Sequence, residues 1–523
     1  VPWRPPHLRR LVTPRPLRYD RPEESASPPP VVFSSTVFLF AFLPVVLALY
    51  YALGRRAWNG VLLASSLFFY AWGEQLIVVL MLASILANYA FGLWIDRSRR
   101  THQGKAAITT AIVFNVLLLV LFKYSDWIWE NASAALGHPH PSPLGSHLVG
   151  NEFFRAVFLT PDGHIRLPVG ISFFTFHALS YVIDVHRGDG VVQRNPSNFG
   201  LYIALFPQLI AGPIIRYRDV DLQILSREVR VSKFASGVRR FVVGLGKKAL
   251  VANVAGEMAD SIFAAPRADV TFAVAWLGIL VYALQIYFDF SGYSDMAIGL
   301  GRMFGFEFVE NFNYPYISKS ITEFWRRWHI SLSTWFRDYL YIPMGGNRVS
   351  RARTYLHLVT VFFLCGLWHG AKWNFVFFGL HHGAFLVIER MGLGAWMARR
   401  SIVLRRAYTL LVVVLGWVYF RIEDLGLAGN WLAAMFGFQR GTAALQYPSL
   451  YLDAFRILVF CAAVVGSTPW VPSLSRWIAA RKGESARSRF LPVAVHVALL
   501  AVFLVSVMQV AAGTYNPFIY FRF

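Results

Sequence analysis

The sequence predicts an all-α polytopic membrane protein, and three observations carry that expectation. Of 523 residues, 56% are hydrophobic and only 15% are charged, against roughly 25% charged in soluble domains. Mean hydropathy is +0.47. About ten apolar runs approach the roughly 20 residues that a helix needs to cross hydrocarbon, with short basic clusters between them. A soluble chain of this composition has too little polar surface to cover itself.

The elements follow in order. Residues 1–31 are rich in Pro and Arg, carry no apolar run and read as a disordered tail ahead of one membrane domain over 32–523. No apolar h-region follows the first charges, so the tail is not a signal peptide. Runs at 37–54, 59–73, 76–95 and 106–122 read as spans. Arg55 and Arg56, then Arg97, Arg99, Arg100 and Lys105, place two intervening loops in the cytoplasm and leave 123–167 outside. A further span covers 168–184. The run 198–215 contains Pro207, Gly212 and Pro213 and is expected to be broken or re-entrant.

The basic stretch 216–241 reads as cytoplasmic, before apolar runs at 239–255 and 271–290. Segment 311–353 is too charged to span. One amphipathic helix is expected there, capped by Ser320 or Thr322, with Trp325, His329, Leu332 and Phe336 on one face. Runs at 355–380, 407–421, 454–471 and 492–512 complete the chain.

Composition also excludes functions. The formal charge of +22 suggests nucleic acid first. Its arrangement in clusters between apolar runs fits the lipid bilayer and its anionic headgroups better, and no nucleic-acid partner is expected. Cys365 and Cys461 lie in apolar runs and imply neither a disulfide framework nor a Cys metal site. The chain lacks HExxH, a P-loop, GxSxG and a Rossmann fingerprint. This argues against a metal site, ATP-driven transport, a soluble-type hydrolase and a dinucleotide enzyme.

Polar groups inside apolar runs are costly and face cavities or partners. His369, in GLWHGAKWNF, is the first candidate; the competing reading is a histidine bonded to a neighbouring helix. His329, in RRWHISLS, is the second, and locally it reads rather as an interfacial side chain beside Trp and Arg at the headgroup level. His381 and His382 are weaker candidates. Asp289 and Asp295 could orient a histidine or neutralise an arginine, and read equally well as marking a helix end in the interface. His177 and Asp184, at i and i+7, read as lining rather than chemistry.

VFSSTVFLFAFLPVVLALYY, PVGISFFTFHALSYVIDVHRG, FPQLIAGPIIRY, YFDFSGYSDMAIGLGRMFGF, NFNYPY, FWRRWHISLSTWFRDYLYIPMGGNR, LCGLWHGAKWNFVFFGLHHG and NPFIYFRF occur in that order. Together they resemble the bacterial alginate O-acetyltransferase branch of the membrane-bound O-acyltransferases, from about residue 32 to 523. The resemblance implies a ring of transmembrane and re-entrant helices around a central tunnel in the bacterial inner membrane. It implies acetyl-CoA as a cytoplasmic donor substrate, with no permanently bound cofactor. Periplasmic acetyltransferase partner proteins would carry the group on to an extracytoplasmic polysaccharide acceptor such as alginate. His369, in the family's WHG motif, and His329 are the implied catalytic pair. Arg326, Arg327, Trp328 and Asn374 are candidate donor contacts.

A neutral imidazole suits proton abstraction from an acceptor hydroxyl, which assigns His369 as general base. His329 then orients the donor or bonds the oxyanion; a covalent acetyl-histidine stays open. Rival expectations are D-alanyl-type transfer from a carrier protein, and a transporter or structural subunit of a polysaccharide export complex. The family begins with Met before VFSS. Here Val31 occupies that position, so translation is expected to start at Val31 from a GTG codon.

Overall fold

The computed structural model describes residues 32–99, 101–138, 141–148, 150–265, 270–438, 447–480, 487–513 and 515. The expected tail, 1–31, and the closing NPFIYFRF motif lie outside them. The described residues form an all-α polytopic membrane protein, with one isolated bridge between Leu159 and Ile165. Trp58–Ser98, His102–Ala135, Phe272–Met303, Ile402–Arg421 and Val493–Ala511 are long and apolar enough to span. Phe38–Ala52, Leu425–Met435 and Ala454–Gly466 are apolar but shorter.

Phe272–Met303 is the central helix. Every residue from Val281 to Gly301 is buried, which a helix achieves only when neighbours pack on all sides. Small residues let the closest neighbour, Val231–Gly246, lie backbone to backbone on it. A Cβ at Gly244 would sit 2.5 Å from Gly292 O, and one at Gly299 would sit 2.7 Å from Gly237 O. The two carboxylates of the central helix neutralise cations rather than orient a histidine. Asp289 meets Lys248 at 2.7 Å, and Asp295 meets Arg240 at 2.6 Å and Lys247 at 2.7 Å.

The run at 198–215 is broken as expected. Pro196–Ala204 ends at Leu205, Pro207 sits in the first turn of Phe206–Leu209, and the chain is buried from Phe199 to Ile215. Residues 355–380 depart from the expectation of one run. The helix Arg351–His369 stops at His369, Gly370 is extended, and Trp373–Ile388 returns beside it. The hairpin is closed by Gly366 and Gly379, where a Cβ would meet Phe375 O and Phe362 O, each at 2.2 Å.

Segment 311–353 also corrects the sequence reading. Ser320 caps a helix as expected, with Oγ accepting from Glu323 N. The single amphipathic helix is in fact two short helices, Ile321–Arg327 and Ile330–Phe336, separated at His329, whose backbone is left-handed (φ 44°, ψ 54°). A competing strand of hydrogen bonds causes the break. Ile330 N donates to Asn311 O (3.0 Å), Ser331 N donates to Asn311 Oδ1 (3.2 Å), and the freed Arg327 carbonyl accepts from Asn313 N (2.9 Å). Hydrophobic spacing carries no trace of an acceptor so distant in sequence. The segment is also largely buried rather than laid on a surface: Phe324, Trp325, Trp328, His329, Leu332, Trp335 and Phe336 are all inside.

Candidate active site

The break brings His329 to the end of the Arg351–His369 helix. The indole of Trp368 lies between the two imidazoles, with ring centroids 5.6 Å from His329 and 5.0 Å from His369. His329 is fully buried and packs edge-on to Phe290 at 4.6 Å. His369 is 6% exposed and is flanked by Phe378 and Phe420. Aromatic walls surround much of both rings, and polar contacts in such low-dielectric surroundings gain strength.

Asn311 fixes the proton on His329. Its Oδ1 accepts from Ser331 N and lies 3.1 Å from His329 Nδ1. Because a backbone N–H can only donate, the atom facing Nδ1 is an acceptor, and Nδ1 carries the hydrogen. A neutral His329 therefore presents a lone pair at Nε2, which has no hydrogen-bond partner among the described residues. Such a nitrogen accepts hydrogen bonds. It stabilises an oxyanion only after protonation.

Two cavities share one face of the histidine helix. The first, about 180 Å³, is lined by Leu358, Val361, Phe362 and Cys365 of that helix, with Trp325, Phe336 and the exposed Arg326, Arg337 and Arg390 contributed from elsewhere. The second, about 230 Å³, ends on Trp368 and His369 and is lined by Lys123, Ser172 and the loop residues Leu167 to Gly170. Cys365 and His369 are one turn apart, roughly 6 Å along the axis. The first cavity thus lines the middle of the helix and the second its C-terminal end.

The other candidates divide. Arg326 borders the first cavity and pairs with no carboxylate among the described residues. Arg327 is held by Glu323 (2.9 Å) and by Asn313 O, away from that lining. Trp328 is packed among Phe312, Tyr316, Phe324 and Trp417. Asn374 is buried and donates to Tyr419 O. His381 Nε2 bonds Val412 O at 2.8 Å, and His382 is enclosed by Phe324, Trp325 and Phe378; neither lines the two cavities. His177 is buried against Tyr202, and Asp184 accepts from Tyr339 Oη and Arg218 N. Among the described residues no three His, Cys, Asp or Glu side chains converge on a point.

Sequence reasoning missed Asn311, Lys123, Arg337 and Arg390. Lys123 had a signal, as a lone charge at the end of an apolar run; the others are ordinary in sequence. Next to Arg337 of the first cavity's lining, Asp338 gathers Arg216 (2.5 Å), Arg218 (2.7 Å) and Arg337 itself (2.7 Å). Burial pushes its carboxyl up, but these arginines outweigh burial and hold it below the ordinary value.

Comparison with known proteins shows the family. Residues 65–422 match the family described as MBOAT, membrane-bound O-acyltransferase family. The chain is 42% identical over 518 residues to the probable alginate O-acetylase AlgI of Azotobacter vinelandii, covering 94% of this chain and 100% of that protein. It is 33% identical over 442 residues to the peptidoglycan O-acetyltransferase of Helicobacter pylori, covering 78% of this chain and 80% of the relative. Similarity extends to the teichoic acid D-alanyltransferase of Bacillus subtilis, 29% identical over 294 residues, which is 53% of this chain and 66% of that one.

Proposed function

The chain belongs to the membrane-bound O-acyltransferase family, and from that premise we propose that it passes acetyl groups from cytoplasmic acetyl-CoA across the bacterial inner membrane for O-acetylation of an extracytoplasmic polysaccharide such as alginate. The observation that carries the reading is the pair of cavities along one face of the histidine helix: one is lined by His369 itself, and the other is lined by Cys365, one turn before it. Coenzyme A carries phosphates that cannot cheaply enter hydrocarbon. Arg326, Arg337 and Arg390 at the mouth of the first cavity suit those phosphates, while the apolar lining suits the slender acyl-bearing arm. The second cavity then admits the acceptor, supplied by a periplasmic acetyltransferase partner.

In the proposed step His369 takes the proton of the acceptor hydroxyl as its oxygen attacks the thioester carbonyl. The tetrahedral intermediate collapses, the C–S bond breaks, and the proton returns to the leaving thiolate. His329 offers its Nε2 lone pair to an N–H of the donor and so orients it. Of the two roles expected for His329, orientation is the one that its tautomer favours.

The test is His369→Ala beside His329→Ala, each verified as folded in membranes and assayed for transfer of labelled acetyl groups. Loss of the base is expected to lower turnover roughly 10²–10⁴-fold. Wild-type acetylation by His369→Ala would remove His369 from the mechanism. Saturable binding of acetyl-CoA by the purified protein distinguishes this donor from an acylated carrier protein.

A further inference from the structure

We propose that Lys123 and Tyr124 are a positioning pair for His369, clamping the last turn of its helix against the second cavity. The inference rests on the reading of His369 as the base. A helix leaves its last carbonyls without intrahelical donors. Here two of them are met from 243 and 245 residues away: Tyr124 Oη donates to Leu367 O at 2.9 Å, and Lys123 Nζ donates to Trp368 O. Lys123 also donates to Ser172 Oγ at 3.1 Å, and so ties together two walls of the cavity that contains His369.

Both residues lie in a π-helical turn, Val120–Tyr124, between the helices His102–Leu119 and Ser125–Ala135, and such turns recur at functional sites. Lys123 pairs with no carboxylate among the described residues. An ammonium held at the end of an apolar run without a counter-ion is expensive. Its compensation is the negative end of the histidine helix, whose terminal carbonyl it caps. The two residues directly before His369 are thereby held, and with them the direction of its ring.

The experiment compares Lys123→Met, Lys123→Arg, Tyr124→Phe and His369→Ala in membranes, reading kcat and donor KM separately per folded molecule. A positioning role predicts a fall in kcat of about 10–100-fold for Lys123→Met, a smaller fall for Tyr124→Phe, donor KM within about twofold, and partial rescue in Lys123→Arg. Wild-type kcat in folded Lys123→Met, beside an inactive His369→Ala, overturns the clamp while leaving the base assignment intact. An active His369→Ala instead overturns the base, and the clamp with it. If Lys123→Met does not accumulate, Tyr124→Phe decides, since it keeps the ring and deletes only the bond to Leu367 O; unchanged kcat there overturns the pair.

Discussion

Replacing Asn311 by Ala isolates the device that sets His329. The side chain is fully buried, and its Oδ1 faces His329 Nδ1 (3.1 Å), Ser331 N (3.2 Å) and Ser331 Oγ (2.9 Å), while Nδ2 donates to Ser294 Oγ (3.1 Å). Truncation leaves at least the Ser331 N–H and the His329 Nδ1–H without an acceptor in a dry site. Each such group costs about 1–3 kcal/mol. Because the bonds share one acceptor their losses do not simply add, so we expect about 3–4 kcal/mol in total. The left-handed backbone at His329 also loses its support, and the ring its fixed tautomer. A misplacement near 1 Å lowers turnover about 10²-fold. Thermal unfolding in detergent, with acetyl transfer measured per folded molecule, reads both effects. Ser294→Ala is the control: it touches only the Nδ2 side and should cost about 1 kcal/mol with near-normal turnover. An Asn311→Ala protein with an unchanged unfolding midpoint and unchanged activity would refute the claim that Asn311 holds the break.

Three further outcomes follow from other parts of the molecule. Removing Arg326 and Arg390 together should raise the donor KM about tenfold or more with little change in kcat, since each offers one charge-assisted contact of about 1.5–3 kcal/mol; unchanged KM in initial-rate assays would dissociate them from the donor. Asp338→Asn should lower stability by about 1–3 kcal/mol at neutral pH. Its folded-state pKa is depressed, so the carboxylate stabilises above its ordinary pKa and that contribution is lost as pH falls through the folded value; unfolding midpoints of variant and parent should therefore converge in acid. Gly366→Ala places a methyl 2.2 Å from Phe375 O, and the hairpin must open at a cost of about 1–3 kcal/mol, seen as a lower unfolding midpoint and weaker acetyl transfer together.

Much of the fold was legible because its causes are local. Long apolar runs mark spans whatever they pack against, Pro207 interrupts its segment by its own covalent geometry, and Ser320 caps a helix three residues ahead. His369 stood out in sequence as a costly group inside an apolar run, whereas His329 looked interfacial and became a candidate through motif resemblance. The end of the helix at His369 was not legible, because Gly366 and Gly379 read as ordinary small residues until the two helices of the hairpin are seen in contact. Asp289 and Asp295 left an interfacial helix end and two buried roles open in sequence, and the positions of Lys248, Arg240 and Lys247 decided for cation pairing.

Alone, then, the sequence determined the solvent of this protein and its helical class and singled out two candidate imidazoles, since burial cost and hydrogen-bonding capacity belong to residue types and their runs. Only the tertiary structure decided how those imidazoles are held. Asn311 bends the backbone at His329 from 18 residues away and fixes its proton, and Lys123 and Tyr124 cap the helix of His369 from across the chain. Hydrogen bonds between distant segments leave no periodicity in a sequence, because each partner is chosen by where the chain returns rather than by its neighbours.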